Sequence, residues 1–320
     1  MGISGEIMES NAVVMKGPGD ISLEKVEISS PTTNDVVLKV HYSGISVGTE
    51  KLFWSGEMPK FPGMGYPLIP GYESVGEIIE CPSTSNFKCG DFVFIPGANC
   101  YGSIKGLFGG ASQKIVSSPS RLIKIDKNLG PEGSLFALAA TARHSIAGFS
   151  NDLPELIVGH GVLGRLLARL TLAAGGKPPV VWENDISRFE GADGYDVIHP
   201  DNDNKNNYKT IYDVSGDANL LDKLISRISK GGEIVLAGFY PGNLKFQFSS
   251  AFIKEVKIRI SSEFNNNDII ATKSLIETGD LSLEGLISDI SKINNAVKAY
   301  KKAFNQPSCL KMVIDWKEAA

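Results

Sequence analysis

The run Gly159-His160-Gly161-Val162-Leu163-Gly164 has the spacing of a diphosphate cradle. In a Gly-x-Gly-x-x-Gly turn the first glycine permits a tight bend and the second lets a pyrophosphate approach the backbone. The third lets a helix pack close to the preceding strand. Phosphate charge then lies at a helix N-terminus, whose N–H groups have no partners within the helix. With 34 glycines in 320 residues such spacings arise by chance, so the flanks decide. An apolar run, Leu156-Ile157-Val158, precedes the loop, and an amphipathic stretch follows it. A second apolar run, Val180-Val181-Trp182, ends in Glu183, roughly 20 residues on, where a carboxylate for the adenosine ribose belongs. These residues predict dinucleotide binding by Gly159, His160, Gly161, Val162, Leu163, Gly164 and Glu183, with Ser215 at the end of a later strand. His160 is expected to face cofactor phosphate or solvent. Glu183 favours NAD over NADP, because a carboxylate accepts from the ribose 2′-OH and repels a 2′-phosphate. Arg188 is the nearby charge that would suit a phosphate instead.

The rest of the composition narrows the class. Apolar residues at 42% and charged residues at 21% fit a soluble globular chain with ample core. A net charge of −4 gives no reason to expect a nucleic-acid partner. The longest apolar candidate for a membrane span is broken by His160, Arg165 and Arg169, so no membrane insertion is expected. Met1–Asn11 lacks the apolar core of a secretory signal, and the expected location is the cytoplasm. Cys81, Cys89, Cys100 and Cys309 show no C-x-x-C spacing and read as free thiols, not as a zinc ribbon.

Positioning these groups takes two kinds of architecture. Up to about residue 120 the chain reads as mainly β, with Val- and Ile-rich runs at Ala12–Met15, Val36–Tyr42, Val75–Glu80 and Phe92–Pro96 between Gly, Pro, Asn and Asp. The middle alternates. Strands are expected at Leu156–Val158, Val180–Glu183, Val197–His199, Thr210–Val214, Glu233–Gly238 and Val256–Ser261. Helices are expected at Val162–Ala174 and Asn219–Ile228, the latter closed by Lys230-Gly231-Gly232 as a C-cap. That alternation predicts an α/β fold with a doubly wound parallel sheet. A helix at Asn294–Phe304 and a strand at Leu310–Asp315 then return to the first domain.

Pro70-Gly71-Tyr72-Glu73-Ser74-Val75-Gly76, Lys88-Cys89-Gly90-Asp91-Phe92-Val93 and Gly279-Asp280-Leu281 resemble the Gly-His-Glu-x-x-Gly turn, the Gly-Asp-x-Val strand entry and the C-terminal segment of the medium-chain dehydrogenase/reductase family. The resemblance spans almost the whole chain. It implies a mainly β, GroES-like catalytic domain over residues 1–125 and 265–320, a Rossmann NAD-binding domain over 126–264, an active site in the cleft, and a homodimer. Many members hold a catalytic zinc by Cys, His and Cys. Here the first position falls on Val47, or on Ser46 if the alignment shifts by one; Tyr72 replaces the histidine; and Ala139–Ala142 offers no cysteine. None of these is a plausible zinc ligand, so no metal is expected.

Without a Lewis acid, alcohol oxidation needs another group to take the hydroxyl proton. Thr49 matches the family's relay hydroxyl, Tyr72 stands where a ligand would point, and His144 is the histidine nearest the implied nicotinamide side. Of these catalytic candidates a neutral histidine is the best matched as ultimate base. Tyr72 would need a strongly lowered pKa, and Glu73 would tune or orient a partner. The loop from Phe53 to Pro67 is rich in aromatic and Met side chains, including Phe61. Phe53, Trp54, Met58 and Tyr66 suit a large flat ligand. Together with Ile45–Glu50 this loop resembles a zinc-free branch of the family that acts on tetrapyrroles. That resemblance implies oxidation of the 3-(1-hydroxyethyl) group of a chlorin or bacteriochlorin to 3-acetyl by NAD. A zinc-free enone or quinone reductase using NADPH, and a nucleotide-binding pigment carrier without turnover, are the competing readings.

Overall fold

The computed structural model describes residues 8–60, 63–106, 108–147 and 153–317; Phe61 and the first seven residues lie outside that set. In chain order the elements are β1 (Met8–Gly17), β2 (Asp20–Ile28), β3 (Val36–Gly44), α1 (Glu50–Ser55), β4 (Leu68–Ile69), β5 (Ser74–Glu80), β6 (Phe92–Ile95), β7 (Lys105–Gly106), β8 (Lys114–Ser117) and β9 (Ile123–Lys124). There follow α2 (Phe136–Ala147), β10 (Leu156–Val158), α3 (Val162–Ala173), β11 (Val180–Trp182), β12 (Asp196–Ile198), β13 (Tyr208–Asp213), α4 (Leu221–Arg227) and β14 (Ile228–Leu236). The last are α5 (Phe248–Lys254), β15 (Lys257–Ile260), α6 (Asn266–Glu277), β16 (Asp289–Lys292), α7 (Ala296–Asn305) and β17 (Met312–Asp315). The chain divides into unit 1, Met1–Ala137 with Ile287–Ala320, and unit 2, Leu138–Leu286.

Unit 1 is built on two sheets. One is ordered β2-β1-β4-β7; the other is β16-β17-β3-β5-β6-β9, with β8 paired to β3. β17, late in the sequence, lies antiparallel to β3 with Ile314 opposite Ser43, between β3 and β16, so strands from both ends of the sequence share this sheet. α7 follows from periodicity. Its buried residues Ala296, Ala299, Tyr300, Ala303 and Phe304 fall at helical spacing on one face, and that face joins the core of Val13, Val36, Leu38, Ile45 and Trp316.

Unit 2 holds the parallel sheet β12-β11-β10-β13-β14-β15. Its central strands β10 and β13 are short and largely buried on both faces, as a sheet covered on both sides requires. The α/β class with a parallel sheet is the one the alternation predicts. One local expectation is corrected. Lys230-Gly231-Gly232 is not a helix C-cap: α4 ends at Arg227, Ile228 is already extended, and β14 runs through both glycines. A side chain at Gly232 would strike the Lys209 carbonyl and Ile228, so close strand packing accounts for that glycine.

The division falls at Ala137/Leu138 and Leu286/Ile287, against 125/126 and 264/265 in the sequence reading. α6 therefore belongs to unit 2. It is tied there by Asp268, which accepts from Arg143 at 2.5 Å and pairs with His144 Nδ1 at 2.7 Å, both on α2. Among the described residues no helix is long and apolar enough to cross a membrane.

Candidate functional site

The glycine loop has the three properties its spacing predicts. Gly159 sits at φ +108°, a conformation side chains rarely adopt. A side chain at Gly164 would overlap the Gly159 carbonyl, so the third glycine lets α3 close onto β10. A side chain at Gly161 would meet open space, which leaves the approach to the backbone clear. Gly161 is the N-cap of α3 and offers no side-chain acceptor, so the first-turn N–H groups of Val162, Leu163 and Gly164 have no cap from it. These residues fit a dinucleotide diphosphate. Glu183, just past β11, accepts from the N–H groups of His160 at 3.0 Å, Asn184 at 2.8 Å and Asp185 at 3.0 Å. Its carboxylate is thus fixed beside the loop.

His160 is a correction. Its side chain does not face phosphate or solvent; it is buried, with Nδ1 at 2.6 Å from the Arg188 carbonyl and Nε2 at 2.8 Å from the Tyr195 hydroxyl. Burial pushes its pKa down to about 4. Arg165 completes this plug by donating to the carbonyls of His160, Arg188 and Glu190 at 3.2, 3.1 and 2.7 Å. Arg188 therefore enters the structure first through its backbone carbonyl, which takes two donors. Ser215 lies against Gly159, but its hydroxyl and N–H both go to the buried Asp213, at 2.6 and 2.9 Å.

In unit 1 the sequence brings Thr49 and Tyr72 together and adds Ser46 between them. Ser46 Oγ lies 2.5 Å from the Tyr72 hydroxyl, and the Thr49 N–H reaches Ser46 Oγ at 3.4 Å. Thr49 stands at the N-terminal edge of α1 without capping it. Tyr72 does not acquire the lowered pKa a base would need. Burial, then the Glu73 charge, push it above the ordinary tyrosine value, against the hydroxyls of Ser46 and Thr49. Tyr72 is therefore a neutral hydroxyl.

Behind this pair lie Glu73, which the sequence had marked as a tuning or orienting acid, and three groups that it had not singled out. Glu73 is fully buried and ion-paired with Lys311, whose Nζ also reaches the Ile45 carbonyl at 3.1 Å. Gly44 makes the room: a side chain there would collide with the Glu73 carboxylate and the Lys311 stem. Glu50, in the first turn of α1, is equally buried and near Tyr300 of α7. Lys311 carried a readable signal, a lysine inside Cys309-Leu310-Lys311-Met312-Val313-Ile314. Glu50 and Tyr300 did not, because one is an acid at a helix start and the other an aromatic on an apolar face.

The aromatic loop is partly corrected. Phe53 is 4% exposed and belongs to the core, so it cannot form part of an open wall. Trp54, Met58 and Tyr66 are half-buried and pack on that core. Tyr66 donates its hydroxyl to the Phe53 carbonyl, and Trp54 tilts against Phe304 at 5.5 Å.

His144 lies on α2 with Nδ1 directed at Asp268. Burial opposes ionisation of Asp268, but the Asn265 N–H, Arg143 and His144 outweigh it and hold the acid below its ordinary value. The same Asp268 closes a capping box with Asn265 at the start of α6. His144 thus anchors one helix to another, in unit 2, while Thr49 and Tyr72 are in unit 1. Among the described residues no three His, Cys, Asp or Glu side chains converge as metal ligands would.

Comparison with known proteins places this geometry. Residues 32–127 match the alcohol dehydrogenase GroES-like domain. The chain is 55% identical to 2-desacetyl-2-hydroxyethyl bacteriochlorophyllide A dehydrogenase of Rhodobacter capsulatus, over 98% of this chain and 100% of that one. It is 51% identical to the protein of the same description from Cereibacter sphaeroides, with the same coverage. Among solved structures, 2R,3R-butanediol dehydrogenase from Bacillus subtilis shares the fold with a TM-score of 0.82 at 20% identity, over 96% of this chain and 99% of that one.

Proposed function

Since this chain belongs to the medium-chain dehydrogenase/reductase family, we propose that it oxidises the hydroxyethyl side chain of a bacteriochlorin or chlorin to acetyl, with NAD as hydride acceptor. The observation that carries the substrate is identity above one half, over essentially full length, to an enzyme described by that hydroxyethyl pigment. The coarser statement needs no proposal: the protein is a nicotinamide-dependent dehydrogenase acting on an alcohol group.

Gly159–Gly164 would hold the diphosphate and Glu183 the adenosine ribose. Glu183 supports NAD, because its carboxylate is fixed by three N–H groups where a 2′-phosphate would meet repulsion. Bound NAD supplies the hydride acceptor. The protein supplies the proton path, and we assign its first step to the hydroxyls of Tyr72, Ser46 and Thr49. Ser46 or Val47, with Tyr72, stand where zinc ligands stand in other members, which supports a reaction run on hydroxyls. His144 we assign to holding α2 on α6. Trp54, Met58 and Tyr66 remain the proposed contacts for the macrocycle, and Phe53 supports them from within the core.

The chain also has a self-complementary edge. Among the described residues β15 ends the parallel sheet with one side unpaired, and Ile260, Phe248, Phe252 and Ile253 around it are exposed. Two such edges related by a twofold axis satisfy each other's backbone groups and bury these side chains, which supports a homodimer. The functional reading is tested by mixing the protein with purified hydroxyethyl pigment and NAD. The pigment absorption should shift to that of the acetyl form; a shift that needs no NAD, or no shift, contradicts it.

A further inference from the structure

Among the described residues, most of the buried polar side-chain atoms without hydrogen bonds belong to four side chains of unit 1. They include both oxygens of Glu50, both of Glu73 apart from its ion pair, the Trp54 indole N–H and the Tyr300 hydroxyl. Glu50 and Trp54 are one turn apart on α1, and Tyr300 and Phe304 are one turn apart on α7. Trp54 meets Phe304, and Glu50 meets Tyr300, so the two helices face each other along these pairs. An orphaned buried polar group costs about 1–3 kcal/mol. Several together in a native core ask for a functional reason.

Charge gives that reason. Two carboxyls, Glu50 and Glu73, share a buried space with one ammonium, Lys311. Lys311 is committed to Glu73. One proton makes the three groups neutral together, and Glu50 is the acid left to carry it. Burial, then the Glu73 charge, raise Glu50 to about 8, while Lys311, the Ser46 backbone contact and Tyr300 pull the other way. The groups facing it are Ser46 and Thr49 from its own turn, Tyr72 and Glu73 ahead of β5, Tyr300 from α7 and Lys311 ahead of β17.

We infer that Glu50 is the terminal store for the proton released in alcohol oxidation, receiving it through the Tyr72–Ser46 hydroxyl pair. This rests on the dehydrogenase reading above. The substrate O–H bond breaks, its proton goes to one hydroxyl of the pair, and that pair passes a proton of its own to the Glu50 carboxylate, whose oxygens are unbonded at rest and must turn to meet it. The C–H bond breaks with its electron pair leaving as hydride, which bound NAD would accept, and the C=O bond forms. The Glu50 N–H already donates to the Ser46 carbonyl at 3.0 Å, which keeps the store one turn from the relay. Glu50 acts through the hydroxyls and is a positioning residue with a proton of its own. Oxidation needs its ionised form, so kcat should climb about tenfold per pH unit below its titration and level above it.

Infrared spectra of the full chain, without substrate, read the store directly. A protonated carboxylic acid band should persist at about pH 6 to 7, where ordinary carboxyls have ionised, disappear near pH 8, and be missing from Glu50→Gln across that range. Tyr300→Phe, which removes a neighbour that favours the ionised form, should move the disappearance to higher pH. In turnover, Glu50→Gln should lose the rising limb and run at least about tenfold slower at its top. A wild type without the band, a band that survives in Glu50→Gln, or a rising limb kept by that variant overturns the inference. An inactive wild type instead contradicts the substrate reading, and the infrared band, needing no substrate, tells the two failures apart.

Discussion

The glycine loop of unit 2 and the buried cluster of unit 1 both withdraw ionisable groups from solvent, with opposite outcomes. Around His160 the partners are present: two acceptors or donors for the ring, three carbonyls for Arg165, three N–H groups for Glu183. Around Glu50 they are missing. A satisfied network holds one geometry and resists change of charge. An unsatisfied one is costly to keep, and its acid is held back from ionising, to about 8 for Glu50. The proposed cofactor seat and the proposed proton site thus follow separate designs, carried by separate units. The pH signs follow. His160, lowered to about 4, destabilises the fold as pH falls from its unfolded value toward 4, where the unfolded chain binds a proton that the native chain refuses. Glu50, raised to about 8, destabilises it as pH rises from the ordinary carboxylate range toward 8, where the native chain holds a proton that the unfolded chain has released.

The comparison breaks first if the loop network is not structural. Arg165→Ala removes three charge-assisted hydrogen bonds from buried carbonyls and should destabilise the protein by about 3 kcal/mol, read as a lower denaturant midpoint. A midpoint within experimental scatter of wild type would mean the loop holds without its plug. The next effect sharpens the other half. Glu50→Gln cannot ionise, so its stability relative to wild type should improve between pH 6 and pH 9, on the order of 2 kcal/mol. Equal pH dependence in the two proteins would show that Glu50 does not titrate there. A smaller effect is expected at the ribose. Glu183→Ala should weaken NAD roughly tenfold and narrow its margin over NADP, measured by calorimetry; unchanged affinities for both would mean another group meets the ribose.

These two regions also differ in how well the sequence displays them. The loop is local: Gly159 to Glu183 lies in one strand–turn–helix–strand unit, so spacing alone exposes it. What spacing misses there is long in reach, the inward turn of His160 onto Arg188 and Tyr195. The unit 1 cluster joins Glu50, Glu73, Tyr300 and Lys311 from four segments, and no window along the chain contains them. Family resemblance reached Thr49 and Tyr72 because those occupy motif positions, and it missed the acids' burial because burial is a property of packing. Lys230-Gly231-Gly232 misled for a related reason, since glycine serves equally as a helix stop and as a tight strand contact. The Asn265–Asp268 capping box was readable and would have placed α6.

The central claim is that proton transfer belongs to the hydroxyls of unit 1 and cofactor binding to unit 2. Tyr72→Phe keeps the ring, removes the hydroxyl bonded to Ser46, and touches nothing in the glycine loop. Steady-state turnover of the hydroxyethyl pigment, with NAD affinity measured on the same sample, should show kcat lower by about 10²-fold and NAD affinity unchanged. Near-normal kcat, or a loss of NAD affinity that accounts for the slower rate, would contradict the account.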